Sequence, residues 1–126
     1  MTDPCFFAFH PQRPLLAIAT PTSDSILIYD YTQGAPLRRF ALGGPGRYLA
    51  WSPDGSRLAV AVDREIEVHD LDAGRKLSTL KGHQALVCQL FYHPQRNLLF
   101  SNSWDNSLRV WDPLTGEQLL RAQGMC

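Results

Sequence analysis

Three times along this chain an apolar run closes on a proline. The runs are Phe6-Phe7-Ala8-Phe9-His10-Pro11, Tyr48-Leu49-Ala50-Trp51-Ser52-Pro53 and Leu90-Phe91-Tyr92-His93-Pro94. The prolines stand 42 and then 41 positions apart. A second marker follows the same beat: Tyr29-Asp30, His69-Asp70 and Trp111-Asp112, spaced by 40 and 42. Self-similarity at this period marks a stacked or ring-shaped repeat protein.

Within the third repeat, Ala85 to Tyr92 is apolar and rich in strand formers, and His93 to Asn97 is a turn. Leu98 to Ser103 gives a second strand and Trp104-Asp105-Asn106 a tight turn. Ser107 to Trp111 alternates polar and apolar, as a half-buried strand does. After Asp112 to Gly116, Glu117 to Ala122 forms a fourth strand. Repeat two repeats the plan with 57–62, 65–69 and 76–80, and repeat one with 15–20, 26–29 and 36–41. Short connections make neighbouring strands antiparallel. No segment asks for a helix.

Twelve basic residues balance twelve acidic ones, so the chain shows no electrostatic footprint for nucleic acid or an anionic membrane. No apolar run is long enough for a membrane span, and Met1-Thr2-Asp3-Pro4 lacks the pattern of a secretory signal. Cys5 and Cys88 hold equivalent places inside apolar runs and Cys126 is last. Cys5 and Cys88 are expected to be small buried hydrophobes, and the cysteine usage fits a reducing, cytoplasmic setting.

The third repeat resembles the WD-repeat family of β-propellers. Gly82-His83 precedes its first strand, Trp111-Asp112 closes its third, and 27 residues lie between the two dipeptides. The stretch from Ser101 to Asp112 is close to the family's consensus. The resemblance covers essentially the whole chain. It implies an all-β fold, a WD-repeat β-propeller segment of three four-stranded antiparallel blades. The blades span about 4–41, 46–81 and 85–123, and do not close a ring by themselves.

Ser101, His83 and Asp105 have the residue types of a hydrolase triad. They also match, position by position, the family's structural tetrad, with Trp111 as its fourth member. The resemblance therefore implies a buried chain of hydrogen bonds and no catalytic residue. The other repeats depart from that pattern. In repeat two, Asp63 stands six residues before His69, but Ala59 is expected in the serine position and Leu42-Gly43 near the missing Gly-His. In repeat one, Tyr29 takes the tryptophan position and Asp24 is displaced by one residue.

His10-Pro11-Gln12-Arg13 and His93-Pro94-Gln95-Arg96 form a duplicated turn signal, without the ligand spacing of a metal site. Gly43-Gly44-Pro45-Gly46 lacks the ending of a phosphate loop. No cofactor or metal is expected. In the family, the side chain before the tight-turn Asp and the loop entering the first strand often contact partners. Here that implies Trp104, Gln84 and Leu86 on blade three, Arg47 and Val62 on blade two, and Ser23 on blade one.

Three blades are too few for a ring, since propellers usually have four to eight. The outer repeats are as apolar as the middle one, so no polar cap is expected. Three repairs follow: a piece of a longer protein, a homo-oligomer closing a six- or nine-blade ring head to tail, or docking onto a partner's partial propeller. The expected function is a protein-interaction scaffold. The alternatives are a propeller enzyme of hydrolase or lactonase type, or a regulatory repeat segment of a larger protein such as a bacterial kinase.

Overall fold

The computed structural model describes residues 6–20, 22 and 24–124. Twelve strands run in chain order: β1 (Phe6–Phe9), β2 (Leu15–Ala19), β3 (Ser25–Asp30), β4 (Ala35–Ala41), β5 (Gly46–Trp51), β6 (Arg57–Val62), β7 (Glu65–Asp70), β8 (Arg75–Leu80), β9 (Val87–Tyr92), β10 (Leu99–Ser103), β11 (Ser107–Trp111) and β12 (Gln118–Gln123). Each set of four consecutive strands forms one antiparallel meander, giving three separate sheets. These are the three blades expected from the sequence. The first strands β1, β5 and β9 are neighbours, so the blades fan out from a common inner edge.

The period of two along a strand decides which neighbour each side chain meets. In β6, Leu58, Val60 and Val62 join Leu15, Ala17, Ile26, Ile28 and Trp51 in the core between blades one and two. The alternate residues Ala59 and Ala61 join Ile66, Val68, Leu80, Leu99 and Trp111 between blades two and three. Blade two is thus buried on both sides, and β6 is apolar at nearly every position for that reason.

The outer blades have no such cover on their far sides. Phe7 and Phe9 of blade one are each 61% exposed, and Phe91 and Leu120 of blade three 55%. Phe7 pairs with Ile18 and Phe9 with Leu16, so the exposed rings continue an apolar sheet face. On blade three, Phe100 stands between Phe91 and Val110 in register, and Val110 pairs with Leu120.

Register corrects one sequence-based assignment. Leu58 lies across from Trp51 and His69, and Leu99 across from Tyr92 and Trp111. Counting along from these, Ser101 corresponds to Val60 and not to Ala59. The cause is the turn between the second and third strands, which has two residues in blade two (Asp63-Arg64) and three in blade three (Trp104-Asp105-Asn106). The single missing residue is also why Pro53 and Pro94 stand 41 apart while Asp70 and Asp112 stand 42 apart.

Replacing Val60 by Asp buries an unpaired charge in the core between blades one and two. Val60→Asp is expected to lower the unfolding free energy by about 3–5 kcal/mol, read from the urea midpoint. An unchanged midpoint would contradict the burial of Val60.

Candidate functional site

Blade three builds the complete hydrogen-bond chain. Asp105 Oδ2 lies 3.0 Å from His83 Nδ1, and His83 Nε2 lies 2.6 Å from Ser101 Oγ. The Trp111 indole N–H donates to the same hydroxyl at 2.8 Å. An indole nitrogen can only donate, so it terminates the chain at that end. The other end is shared: Asp105 also accepts the Gln84 amide at 3.0 Å and the Ser107 amide at 2.9 Å. One carboxylate therefore ties the loop before β9 to the turn before β11.

Ser101 is fully buried and its oxygen is already engaged by His83 and Trp111. No acyl carbon can approach it, so the arrangement holds structure and cannot perform nucleophilic attack. Burial pushes the His83 pKa below its ordinary value, outweighing the nearby Asp105 carboxylate. Burial alone would raise Asp105, but the Ser107 hydroxyl, the Gln84 amide and His83 hold it well below the usual carboxylate range.

Two members of this network carry no signal in the Gly-His and Trp-Asp markers. Ser107 donates its hydroxyl to Asp105 Oδ1 at 2.5 Å. Arg109, buried on the same side of β11, donates to Ser107 Oγ at 3.2 Å and to Gln118 Oε1 at 2.8 Å. Their signal was the alternation of β11, in which Ser107 and Arg109 share the Trp111 face.

Blade two solves the same problem with other chemistry. Glu67 and His69 occupy the positions of Arg109 and Trp111, and both are buried. Glu67 Oε1 accepts from His69 Nε2 at 3.1 Å, while Oε2 accepts the Gly43 amide at 2.8 Å. A carboxylate on a strand thus catches the backbone of the preceding loop where no histidine is present. Burial would raise the Glu67 pKa, but the His69 and Gly43 donors bring it below its ordinary value. Asp63 is instead exposed on a turn with φ 57°, a left-handed conformation that Asp tolerates. Asp24 of blade one is also exposed, and its carbonyl accepts the Leu42 amide at 2.8 Å.

The face formed by the turns before β7 and β11 collects most of the expected contact residues. Trp104 is 69% exposed, and its amide donates to the Leu86 carbonyl at 3.0 Å. Trp104, Leu86, Arg47, Tyr48 and Cys88 surround one small depression. Beside it, Arg47, Leu86, Val62, Asp63 and Gly43 to Pro45 line a cleft of about 390 Å³. Gln84 is exposed next to the Asp105 anchor. Val62 is 8% exposed and belongs mainly to the core, so it forms floor and not rim. Ser23 and Cys5 lie outside the described residues.

Among the described residues, no three His, Cys, Asp or Glu side chains gather as a metal site. His10 and His93 each serve their own turn instead. His10 Nδ1 accepts the Gln12 and Arg13 amides, and His93 Nδ1 the Gln95 and Arg96 amides.

Four-stranded blades fanned from a shared inner edge, one of them closed by an Asp-His-Ser-Trp chain, define a β-propeller segment. The chain belongs to the WD-repeat family. The family described as WD domain, G-beta repeat matches residues 74–112. The COMPASS component SWD3 of Saccharomyces cerevisiae is 38% identical over 109 residues, covering 84% of this chain and 34% of that protein. Echinoderm microtubule-associated protein-like 2 of Homo sapiens is 30% identical over 122 residues, or 93% of this chain and 19% of that protein. The solved WD40 repeats of RRP9 superpose with a TM-score of 0.86 at 23% identity, covering 94% of this chain and 38% of that one. The chain thus spans about a third or less of the curated relatives it matches.

His83→Ala leaves the Ser101 hydroxyl without the His83 partner and removes one of the donors to Asp105. It is expected to lower the unfolding free energy by roughly 1–3 kcal/mol. The pH dependence has a definite sign. Because the folded pKa of His83 lies below its ordinary 6.5, the unfolded state takes up the proton first. Stability is complete above pH 6.5 and falls as pH drops below it. The depressed Asp105 adds a second loss in acid, below the ordinary carboxylate range. Urea midpoints measured against pH should show the first fall in the native chain and lose it in His83→Ala.

Proposed function

We propose that this chain is a non-catalytic protein-interaction module, three blades of a larger propeller, that recognises a protein partner through the face bearing Trp104. The observation that carries the reading is the exposure of Trp104 on a turn anchored from both sides. Its own amide is held by Leu86, and the next residue, Asp105, is fixed by His83, Gln84 and Ser107. An exposed aromatic whose backbone is already fixed has less conformational freedom to lose on binding, and Trp is enriched among residues that dominate interface energies. Arg47 offers a cation beside it, and Leu86 an apolar flank. SWD3 is described as a component of a complex, which supports a scaffolding reading for its relative.

The larger propeller is supported by the two uncovered apolar faces and by the extra length of the relatives. A lone three-blade arc would leave Phe7, Phe9, Phe91 and Leu120 in water.

Peptides selected from a displayed random library against the chain test the reading. Binders of this face should lose at least about tenfold in affinity to Trp104→Ala, the level of a modest hot spot. Arg47→Ala should weaken them as well, and Leu114→Ala, exposed in the β11–β12 turn, should not. Trp104→Ala should leave the thermal midpoint unchanged. Selected peptides that ignore Trp104 would count against this face.

A further inference from the structure

The first turns of the three blades are of two kinds. In His10 and His93, Nδ1 accepts two backbone amides, so it carries the lone pair and Nε2 carries the proton. His10 sends that Nε2–H across to blade two, where it donates to the Gly55 carbonyl at 2.9 Å. The ring lies so close that a Cβ at position 55 would overlap it, and Gly55 has φ +74°. The Gly55 carbonyl is open to this donor because its own turn does not use it. In the histidine turns the corresponding carbonyls are already engaged: Arg13 O accepts the Leu15 amide at 2.7 Å, and Arg96 O the Leu98 amide at 2.9 Å.

The histidine turn is therefore a donor and the Ser52-Pro53-Asp54-Gly55 turn an acceptor. Blade two has no donor to pass on, since the Ser52 hydroxyl donates to Asp54 within its own turn. A cleft of about 250 Å³ remains between the first turns of blades two and three, whereas between blades one and two the His10 ring reaches Gly55.

Blade three repeats the donor, and among the described residues nothing stands opposite it. His93 holds the same two amides and stands 6.4 Å from the Phe100 ring, beside the exposed Phe91 and the Val110 and Leu120 pair. This is the face that in blade one is covered by blade two.

We propose that the outward face of blade three seats one further four-stranded blade of the acceptor type. Its first turn carries a glycine in the left-handed conformation at the position of Gly55, and that glycine's carbonyl receives His93 Nε2–H. A second copy of this chain does not supply it. Blade one presents Arg13 at that position, with a Cβ where the ring must lie, a carbonyl already bonded, and no positive φ. The proposal rests on the reading of the chain as part of a larger propeller, and it specifies which neighbour the open end accepts.

The test extends the full chain at its C-terminus with a duplicate of its own blade two, residues 46–81, or of its own blade one, residues 4–41. His93→Ala is then compared in each, with His10→Ala as the internal reference. In the blade-two extension, His93→Ala should lower the thermal midpoint about as much as His10→Ala, and the His93 Nε2 proton should become slow to exchange by NMR. In the blade-one extension the Nε2 proton should exchange as it does in the unextended chain, and His93→Ala should lower the midpoint only as much as it does there, through loss of the Gln95 and Arg96 amide bonds. Equal effects in both extensions, or none in either, would overturn the proposal. Light scattering of the unextended chain gives an independent check that needs no extension to fold. A discrete dimer or trimer weakened by His93→Ala would make a second copy the occupant and sink the idea. Absence of any His93-dependent oligomer supports it. If the unextended chain matches both extensions in thermal midpoint, the larger-propeller reading fails as well. Loss of turn selectivity alone overturns only the present proposal.

Discussion

A four-stranded blade has two faces, and both must be covered. Blade two meets that requirement within the chain, with Leu58, Val60 and Val62 packed toward one neighbour and Ala59, Ala61, Ile66 and Val68 toward the other. Its neighbours meet it on one side only. Burying a large apolar side chain contributes about 1.5–3 kcal/mol. The exposed phenylalanines of blades one and three are therefore a substantial unused stabilisation that a covering surface would recover. Among the described residues, the middle blade of the arc is covered on both faces and the outer two on one.

Covering the faces does not by itself fix the loops that run between blades. Blades two and three each tie down the loop before their own first strand, and blade one the loop after its fourth, in different ways. Blade three uses His83, held between Asp105 and Ser101, and blade two uses the Glu67 carboxylate on the Gly43 amide. In blade one the Asp24 carbonyl takes the Leu42 amide. All three satisfy a backbone or side-chain group that would otherwise be orphaned near the core. The chemistry is exchangeable because the requirement is geometric, and that explains how one repeat can keep the consensus tetrad while its neighbour carries Val60 and His69 instead.

The repeat period, the four strands per repeat and the tetrad of blade three were all legible in the sequence, because each rests on local alternation or on a fixed spacing between marked residues. The Ser101 equivalent in blade two was not. A two-residue turn had replaced a three-residue one, and a slip of one residue moves a side chain to the opposite face. Asp63 kept the expected distance from His69 while serving a different purpose, so spacing alone misplaced it. Glu67 and His69 could have been suspected as two ionisable residues two apart on a strand buried on both sides. The His10 to Gly55 contact had no sequence signal, since nothing in the order of residues says which turn faces which.

The fold and the proposed interaction surface converge on one side chain. Asp105 receives His83 from the buried network and the Gln84 amide from the exposed loop, and Trp104 directly precedes it. Leu86 in turn holds the Trp104 amide through its carbonyl. The residues that stabilise blade three therefore also position Trp104, Gln84 and Leu86, so their order is established when the blade folds and not when a partner arrives. Preorganisation of this kind lowers the entropic cost of association. If that face binds as proposed, weakening the Asp105 network would loosen it along with the blade, and stability and recognition would share the same hydrogen bonds.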